Sequence, residues 1–435
     1  MEAENSKMKL LIISQDVIND HLAGPGLRYI KIAKYLGPDM HITLATPQGT
    51  DPGIPRVDFF TYKDSIANLK RAVKIADVIL ISGGMLTQFP FLMQCKARLV
   101  VDLYDPMLLE NMYYFKDESP SHQAERNGRE VDTLNLLAQV GDYFICGSER
   151  QRDFWMGVLA ANGRINPQSV SRDPELRDLI DVVGMGIPSK EPNRQPILKG
   201  IYPQVPMDAR IVLWGGGIWN WLDPLTLINA WSTVIKQIPD ARLVFLGTKH
   251  PNPAVPQHEM AQKAIDLASQ MGEMDKSILF FEWLSTHERE ALLSEADVGV
   301  VCQPRSVETR YALRTRVLDY FWVKLPVVTS EGDVLSEEIK EHGVGWVVPA
   351  GDEHALAEAL IEALNHPRDE IRQRYQELIK KYRWSNQVQP LRAYCLAQAG
   401  RGEHPKRRFP DQMRLGFRLT RKIKYLLAGI ARKGS

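Results

Sequence analysis

Short apolar runs separated by amphipathic stretches limit what this chain can fold into more than any other feature. In the first half they fall at 10–13, 42–45, 78–81, 99–103 and 143–146 of 435 residues. Strands with several apolar residues in succession have to be buried on both faces. With helical patterns between them, such runs read as a parallel sheet in βαβ order. The second half repeats the plan at 211–214, 243–246, 278–281, 298–301, 327–328 and 346–348. Helices are predicted in its gaps, over 222–237, 257–271, 286–295, 313–323 and 353–364. The pattern therefore predicts two doubly wound α/β sheets.

A chain of this length exceeds one ordinary hydrophobic core, since cores tend to split beyond roughly 250–300 residues. Residues 184–207 carry Pro188, Pro192, Pro196, Pro203 and Pro206. That density excludes a helix or a central strand. The expected organisation is a first Rossmann-like domain over 1–190, a linker over 191–208 and a second such domain over 209–383. No repeat of solenoid length is present. With 44% apolar and 25% charged residues, the composition is globular.

The formal charge of +1 hides a bipolar chain. Residues 401–435 hold 11 Lys or Arg against Glu403 and Asp411, a net +9, and the remainder is −8. An acidic body argues against a nucleic-acid partner, because phosphate contacts need clustered cations. Cys95, Cys146, Cys302 and Cys395 lie far apart and match neither zinc nor disulfide-framework spacing, which fits a reducing cytosol. The polar start, Met1 to Lys9, leads into an apolar run of only four residues, so neither a signal peptide nor a membrane span is expected there.

Several constellations could carry chemistry. Gly24-Pro25-Gly26-Leu27-Arg28 precedes a helical pattern, where glycine lets a ligand approach the backbone and free amides attract anions; an ordinary turn is the plain alternative. Asp102 and Asp105 stand at the carboxyl end of a strand, where open α/β sheets border their ligands. They could accept sugar hydroxyls or an acceptor proton, although Asp105 could equally cap the next helix. Gly215-Gly216-Gly217, between strand and helix, could offer amides to a diphosphate. The stretch ends in Asn220 and lacks the acid that a dinucleotide fold wants on its next strand, so NAD is disfavoured. The densest signal is Glu308, Arg310, Arg314, Arg316 and Asp319, followed by Glu331-Gly332-Asp333. Arg314 and Arg316 could neutralise a leaving diphosphate while Asp319 holds ribose; a solvated helix face is the competing account. No P-loop, no H-E-x-x-H, no G-x-S-x-G and no metal-spaced histidines occur.

At these residues the chain resembles the GT-B glycosyltransferases of family 4, from about Lys9 to Tyr394. Leu318-Asp319-Tyr320-Phe321-Trp322-Val323-Lys324-Leu325-Pro326 is similar to the family's acid-bearing helix and following proline, and Gly351-Asp352 to its glycine-aspartate pair. By that resemblance Asp319 takes the place of the second glutamate of the E-x7-E motif, the one that binds ribose. The first falls at Tyr311, with Glu308 three residues before it. The family's arginine and lysine after the glycine loop are missing, since Leu222-Asp223 stand where lysine-glycine is expected, which leaves Arg314 and Arg316 to supply the charge. The resemblance implies a GT-B fold whose two Rossmann-like domains face across a cleft.

It also implies sugar transfer with retention, from a nucleoside diphosphate sugar as co-substrate, with no other cofactor and no metal, to a glycan or lipid-linked acceptor. Gly215, Gly216, Gly217, Glu308, Asp319, Glu331, Gly332 and Asp333 would bind the donor. Arg314, Arg316 and Asp105 would act at the reacting centre, and Gly24, Gly26, Arg28 and Asp102 would border the acceptor. The departing phosphate can itself take the acceptor proton. Lys381-Tyr382-Arg383-Trp384 resembles the crossing back to the first domain, which makes 384–400 a returning helix. A GT-B nucleotide-sugar epimerase and a catalytically silent GT-B scaffold are the alternatives.

In the tail, Leu415, Leu419, Ile423, Leu426 and Ile430 share one helical face, with Arg414, Arg418, Arg421 and Arg432 on another. Such a helix suits the headgroup layer of an anionic membrane, placing the enzyme peripherally on the inner face and close to cell-envelope polysaccharide assembly. Docking of the +9 tail on the −8 body is the rival reading. If the membrane reading holds, anionic vesicles float the full chain but not a chain lacking residues 405–435. Equal flotation of both would remove it.

Overall fold

The computed structural model describes residues 8–19, 22, 24–104, 106–249 and 258–398. Asp105 and the 401–435 tail, both singled out above, lie outside the described residues. The first lobe is a seven-stranded sheet: β1 Lys9–Ile13, β2 His41–Thr46, β3 Val57–Thr61, β4 Val78–Ser82, β5 Arg98–Asp102, β6 Tyr143–Cys146 and β7 Ile180–Val182, in the order β3-β2-β1-β4-β5-β6-β7. The second lobe is six-stranded: β8 Arg210–Trp214, β9 Ala241–Phe245, β10 Ile278–Phe280, β11 Val298–Val301, β12 Val327–Ser330 and β13 Gly345–Val348, in the order β10-β9-β8-β11-β12-β13. Every pairing between these strands is parallel. Both orders reverse once, between β1 and β4 and between β8 and β11, and ligand crevices form at such reversals.

The pattern of apolar runs finds the central strands to within a residue or two but passes over β3 and β7. Val57–Thr61 is an edge strand whose side chains are mostly half-exposed, so it lacks the continuous apolar run of a buried strand. Ile180–Val182 has only three residues. Helix starts follow side-chain capping. Asp223 accepts from the Thr226 amide ahead of helix Pro224–Gln237, Asp333 from Ser336 ahead of Val334–His342, and Asp352 from Ala355 ahead of Glu353–Asn365.

The returning chain is held to the first lobe. The amide of Ile187 donates to the Tyr382 carbonyl at 2.6 Å, and the indole of Trp384 packs so closely on Gly186 that a Cβ there would come within 2.7 Å of it. Within helix Gln389–Gln398, Tyr394 stacks on Tyr143 with centroids 4.1 Å apart, and Arg392 pairs with Asp39. One apolar cluster therefore runs from the helix-packed face of β1 through Trp384 into the second sheet.

At the first reversal, helix Gly24–Leu36 places Arg28 against Asp102 at the end of β5. The Nε and Nη2 groups donate to the two carboxylate oxygens at 2.7 and 3.0 Å, Nη1 donates to the Gly184 carbonyl, and neither side chain of the pair is exposed. Arg28 and Asp102 thus satisfy one another, and Asp102 also lines a smaller cavity with Asp16, Tyr29 and Tyr104. A buried charge left alone keeps its full desolvation cost, so Asp102→Ala is predicted to lose about 3–5 kcal/mol of stability in urea unfolding. A loss under about 1 kcal/mol would show that the pair is not uniquely buried.

Candidate functional site

A cavity of about 490 Å³ opens between the lobes. The first lobe contributes Gly24, Tyr104, Glu110 and Tyr114, and the second Trp219, Trp221, His258, Thr315 and Arg316. It adjoins the second reversal, where the chain leaves β8 through Gly215-Gly216-Gly217. This loop is fixed from the neighbouring helix Thr315–Trp322. The Tyr320 hydroxyl accepts from the Gly215 amide at 2.8 Å and lies within donating distance of the Leu213 and Val300 carbonyls, at 2.9 and 3.1 Å, which joins loop, β8 and β11. Burial pushes that phenol up to about 12.

The glycines act differently from the expectation of three amides facing a diphosphate. The Gly215 amide serves Tyr320, and the Gly216 amide donates to the Trp214 carbonyl. The loop instead turns carbonyls towards Arg316, whose Nη2 donates to Gly217 at 2.6 Å and Nη1 to Gly216 at 3.5 Å. Gly217 is needed for close approach: a Cβ there would stand 2.1 Å from the Trp219 indole. Gly247, at the end of β9, has φ +72 and would meet Trp283 at 2.9 Å.

The two candidate arginines part company. Arg314 grips Glu308 through two bonds of 2.8 and 2.6 Å and Gln303 through a third of 2.6 Å. Burial opposes its charge, yet Glu308 holds it above the ordinary arginine value. The two side chains thus pair with each other, and Arg314 also lines the cavity. Arg316 makes no ion pair among the described residues. It rests on the glycine carbonyls with its guanidinium 5.0 Å from the Trp214 ring, and burial pulls its pKa down to about 10. At neutral pH it is a cation at the cavity wall.

Asp319 pairs with Arg289 of helix Thr286–Glu295, which also donates to the Gly215 carbonyl at 3.3 Å; burial raises the carboxyl. Asp319, Glu331, Gly332 and Asp333 do not line the cavity. Asp333 caps a helix, and burial raises its carboxyl as well. The Gly332 carbonyl accepts from Arg150 of the first lobe at 3.0 Å, so this loop serves contact between the lobes. Gly24 borders the cavity, while the Gly26 amide donates to Asp16.

Sequence reading missed Trp219, Trp221, His258, Tyr114 and Arg289. The W-x-W spacing directly after the glycines was the available signal for the first two. Nothing local marks Arg289, which reaches Asp319 only through the fold.

Comparison with known proteins places the second lobe. A family model described as Glycosyl transferases group 1 matches residues 209–366. Over 123 residues the chain is 31% identical to the phosphatidyl-myo-inositol mannosyltransferase of Mycobacterium leprae (strain TN); the match spans 27% of this chain and only 31% of that relative's length. Among solved structures, WaaG, a glycosyltransferase involved in lipopolysaccharide biosynthesis, is similar with TM-score 0.61 at 13% identity, over 90% of this chain and all of that one. HepE from Anabaena, in complex with UDP-glucose, gives TM-score 0.58 at 16% identity, over 90% and 99%. At such identities the structural likeness concerns the fold.

Because the Tyr320 hydroxyl serves three backbone groups, Tyr320→Phe is predicted to cost about 1–3 kcal/mol, read as a lowered Tm by calorimetry. An unchanged Tm would mean that the loop holds itself.

Proposed function

From the premise that residues 209–366 belong to the Glycosyl transferases group 1 family and that the chain has the GT-B fold, we propose that it transfers a sugar from a nucleoside diphosphate donor to a glycan or lipid-linked acceptor, with retention. One observation carries the reading: Arg316 is a buried guanidinium without a carboxylate partner among the described residues, beside a glycine loop at a sheet reversal. Guanidinium pairs well with phosphate oxygens, and a low-dielectric site strengthens that attraction as charge develops on the leaving group. Arg316 and Leu222, which stands where the family has lysine, line the same cavity, and Arg316 is the proposed source of the missing charge.

The proposed donor lies over Gly215 to Gly217, with Arg316 against its diphosphate. Asp319 is the proposed ribose contact, reached once Arg289 yields one of its bonds. The acceptor enters from Gly24 and the first lobe, and its proton passes to the departing phosphate. HepE, whose structure holds UDP-glucose, supports a nucleotide-sugar donor. The names of WaaG and the mannosyltransferase support an envelope glycan or lipid-linked acceptor. Among the described residues no helix is long and apolar enough to cross a membrane, and the tail over 405–435 is the proposed contact with an anionic surface.

A silent scaffold is the second reading. Its support is that Asp223 caps helix Pro224–Gln237 where the family has lysine-glycine, and that Arg314 is closed off by Glu308. A scaffold would bind no nucleotide, or bind one without turning it over.

A panel of UDP, GDP, ADP and their sugar conjugates is predicted to raise the Tm with at least one ligand, since a ligand of the folded form alone adds to its stability. Arg316→Ala should lower that affinity about tenfold or more without lowering the unliganded Tm by more than a few degrees. For the native protein the affinity should stay level from pH 7 to 9 and fall as pH passes about 10, where Arg316 loses its proton. Unchanged affinity in Arg316→Ala would end this assignment.

A further inference from the structure

A second cavity, of about 310 Å³, shares no lining residue with the one between the lobes. It lies where the chain passes from one lobe to the other. The linker supplies Lys190, Glu191 and Arg194, the turn after helix Thr315–Trp322 supplies Lys324, helix Arg368–Gln373 supplies Arg372, and the crossing back supplies Arg383. Both passages are fixed there: Ile187 and Arg383 pair as a β-bridge, and the Trp322 indole donates to the Lys190 carbonyl at 2.8 Å. Basic side chains thus outnumber the single carboxylate in the wall, although the chain ahead of the tail carries a net −8.

The charges in this wall are poorly matched. Lys190 pairs with Glu290, but Arg194 reaches Glu191 only at 3.5 Å and Arg372 reaches the exposed Asp369 at 3.2 Å, and exposed pairs of this kind hold little energy. Lys324 and Arg383 make no ion pair and no side-chain hydrogen bond among the described residues. Lys324 also holds its place at a backbone cost. The Leu325 amide donates to the Tyr320 carbonyl at 2.9 Å and the Lys324 amide to the Phe321 carbonyl at 3.1 Å, a helix ending whose linking residue is left-handed and usually glycine. Lys324 sits there with φ +57, and strained residues of this kind cluster at ligand clamps. We propose that this cavity binds a phosphate group, with Lys324 and Arg383 as its main contacts. A guanidinium forks two phosphate oxygens and an ammonium meets them as a point charge, and the excess of cations favours a multiply charged anion. Two sources carry that chemistry, a small phosphorylated solute and an anionic lipid headgroup. A bound anion would tie together the two chain passages that any change in lobe angle has to bend. The proposal does not depend on the transferase reading.

Titration calorimetry of sodium pyrophosphate into the full chain carrying Arg316→Ala tests this with the cleft arginine removed, at fixed ionic strength. Binding is expected, and it should weaken about tenfold or more when Lys324→Gly or Arg383→Gln is added. Glycine accepts the left-handed turn without strain, so Lys324→Gly should not lower the Tm, and its lost affinity then reports the missing ammonium and not unfolding. A second arm compares flotation of the native chain and the Lys324→Gly, Arg383→Gln double variant on phosphatidylglycerol vesicles. Pyrophosphate binding weakened by the added substitutions identifies a phosphorylated solute as ligand. Pyrophosphate binding absent or indifferent to them, with about threefold more vesicle needed to float the double variant, identifies the headgroup. Pyrophosphate binding absent or indifferent, with equal flotation of both chains, would overturn the proposal.

Discussion

A positive charge buried with only carbonyls and a ring around it is expensive, and the site is organised about this one. Arg316 keeps its proton because two glycine carbonyls and the Trp214 face replace part of its lost water. Those carbonyls point its way because Tyr320, one turn along the same helix, holds the Gly215 amide and bridges β8 to β11. Helix, loop and both central strands of the second sheet thus form one hydrogen-bonded unit. A ligand diphosphate would supply the counter-charge that the protein withholds.

The first lobe solves its own buried charge in the opposite way. Arg28 receives a full carboxylate partner, Asp102, so its charge is matched where that of Arg316 is not. The contrast follows from geometry. Arg28 lies on the helix directly after β1 and meets the end of β5 head on, whereas Arg316 lies on a helix after β11 and meets a loop with no acid in it. Between the lobes, Arg150 reaches the Arg310 and Gly332 carbonyls, Gln151 the Tyr311 carbonyl, and Phe154 packs on the Tyr311 ring. These contacts and the shared apolar cluster bring the first-lobe rings to the cavity.

Much of the fold was legible because a parallel strand buried on two faces has to be apolar at successive positions. β6, β11 and helix Thr286–Glu295 fall at the ends expected for them. Half-exposed β3 and three-residue β7 carry no such run. In the site, composition drew attention to the region holding Arg314, Arg316 and Asp319. It could not say which arginine would be neutralised, because Glu308 precedes both by a few residues and only the short helix Val307–Tyr311 turns it to Arg314. The glycine loop was found, but not that its Gly215 amide is engaged by Tyr320, more than a hundred residues away.

What the sequence determined by itself is therefore periodic and local: two parallel sheets from the alternation of apolar runs and amphipathic helices, and the resemblance carried by residues 318–326. What only the tertiary structure decided is pairing. Which charges meet, which amides are taken, and which rings from separate lobes face one cavity depend on contacts between residues far apart in the chain. Local periodicity specifies the face a residue shows, and only the packing of one face on another specifies its partner.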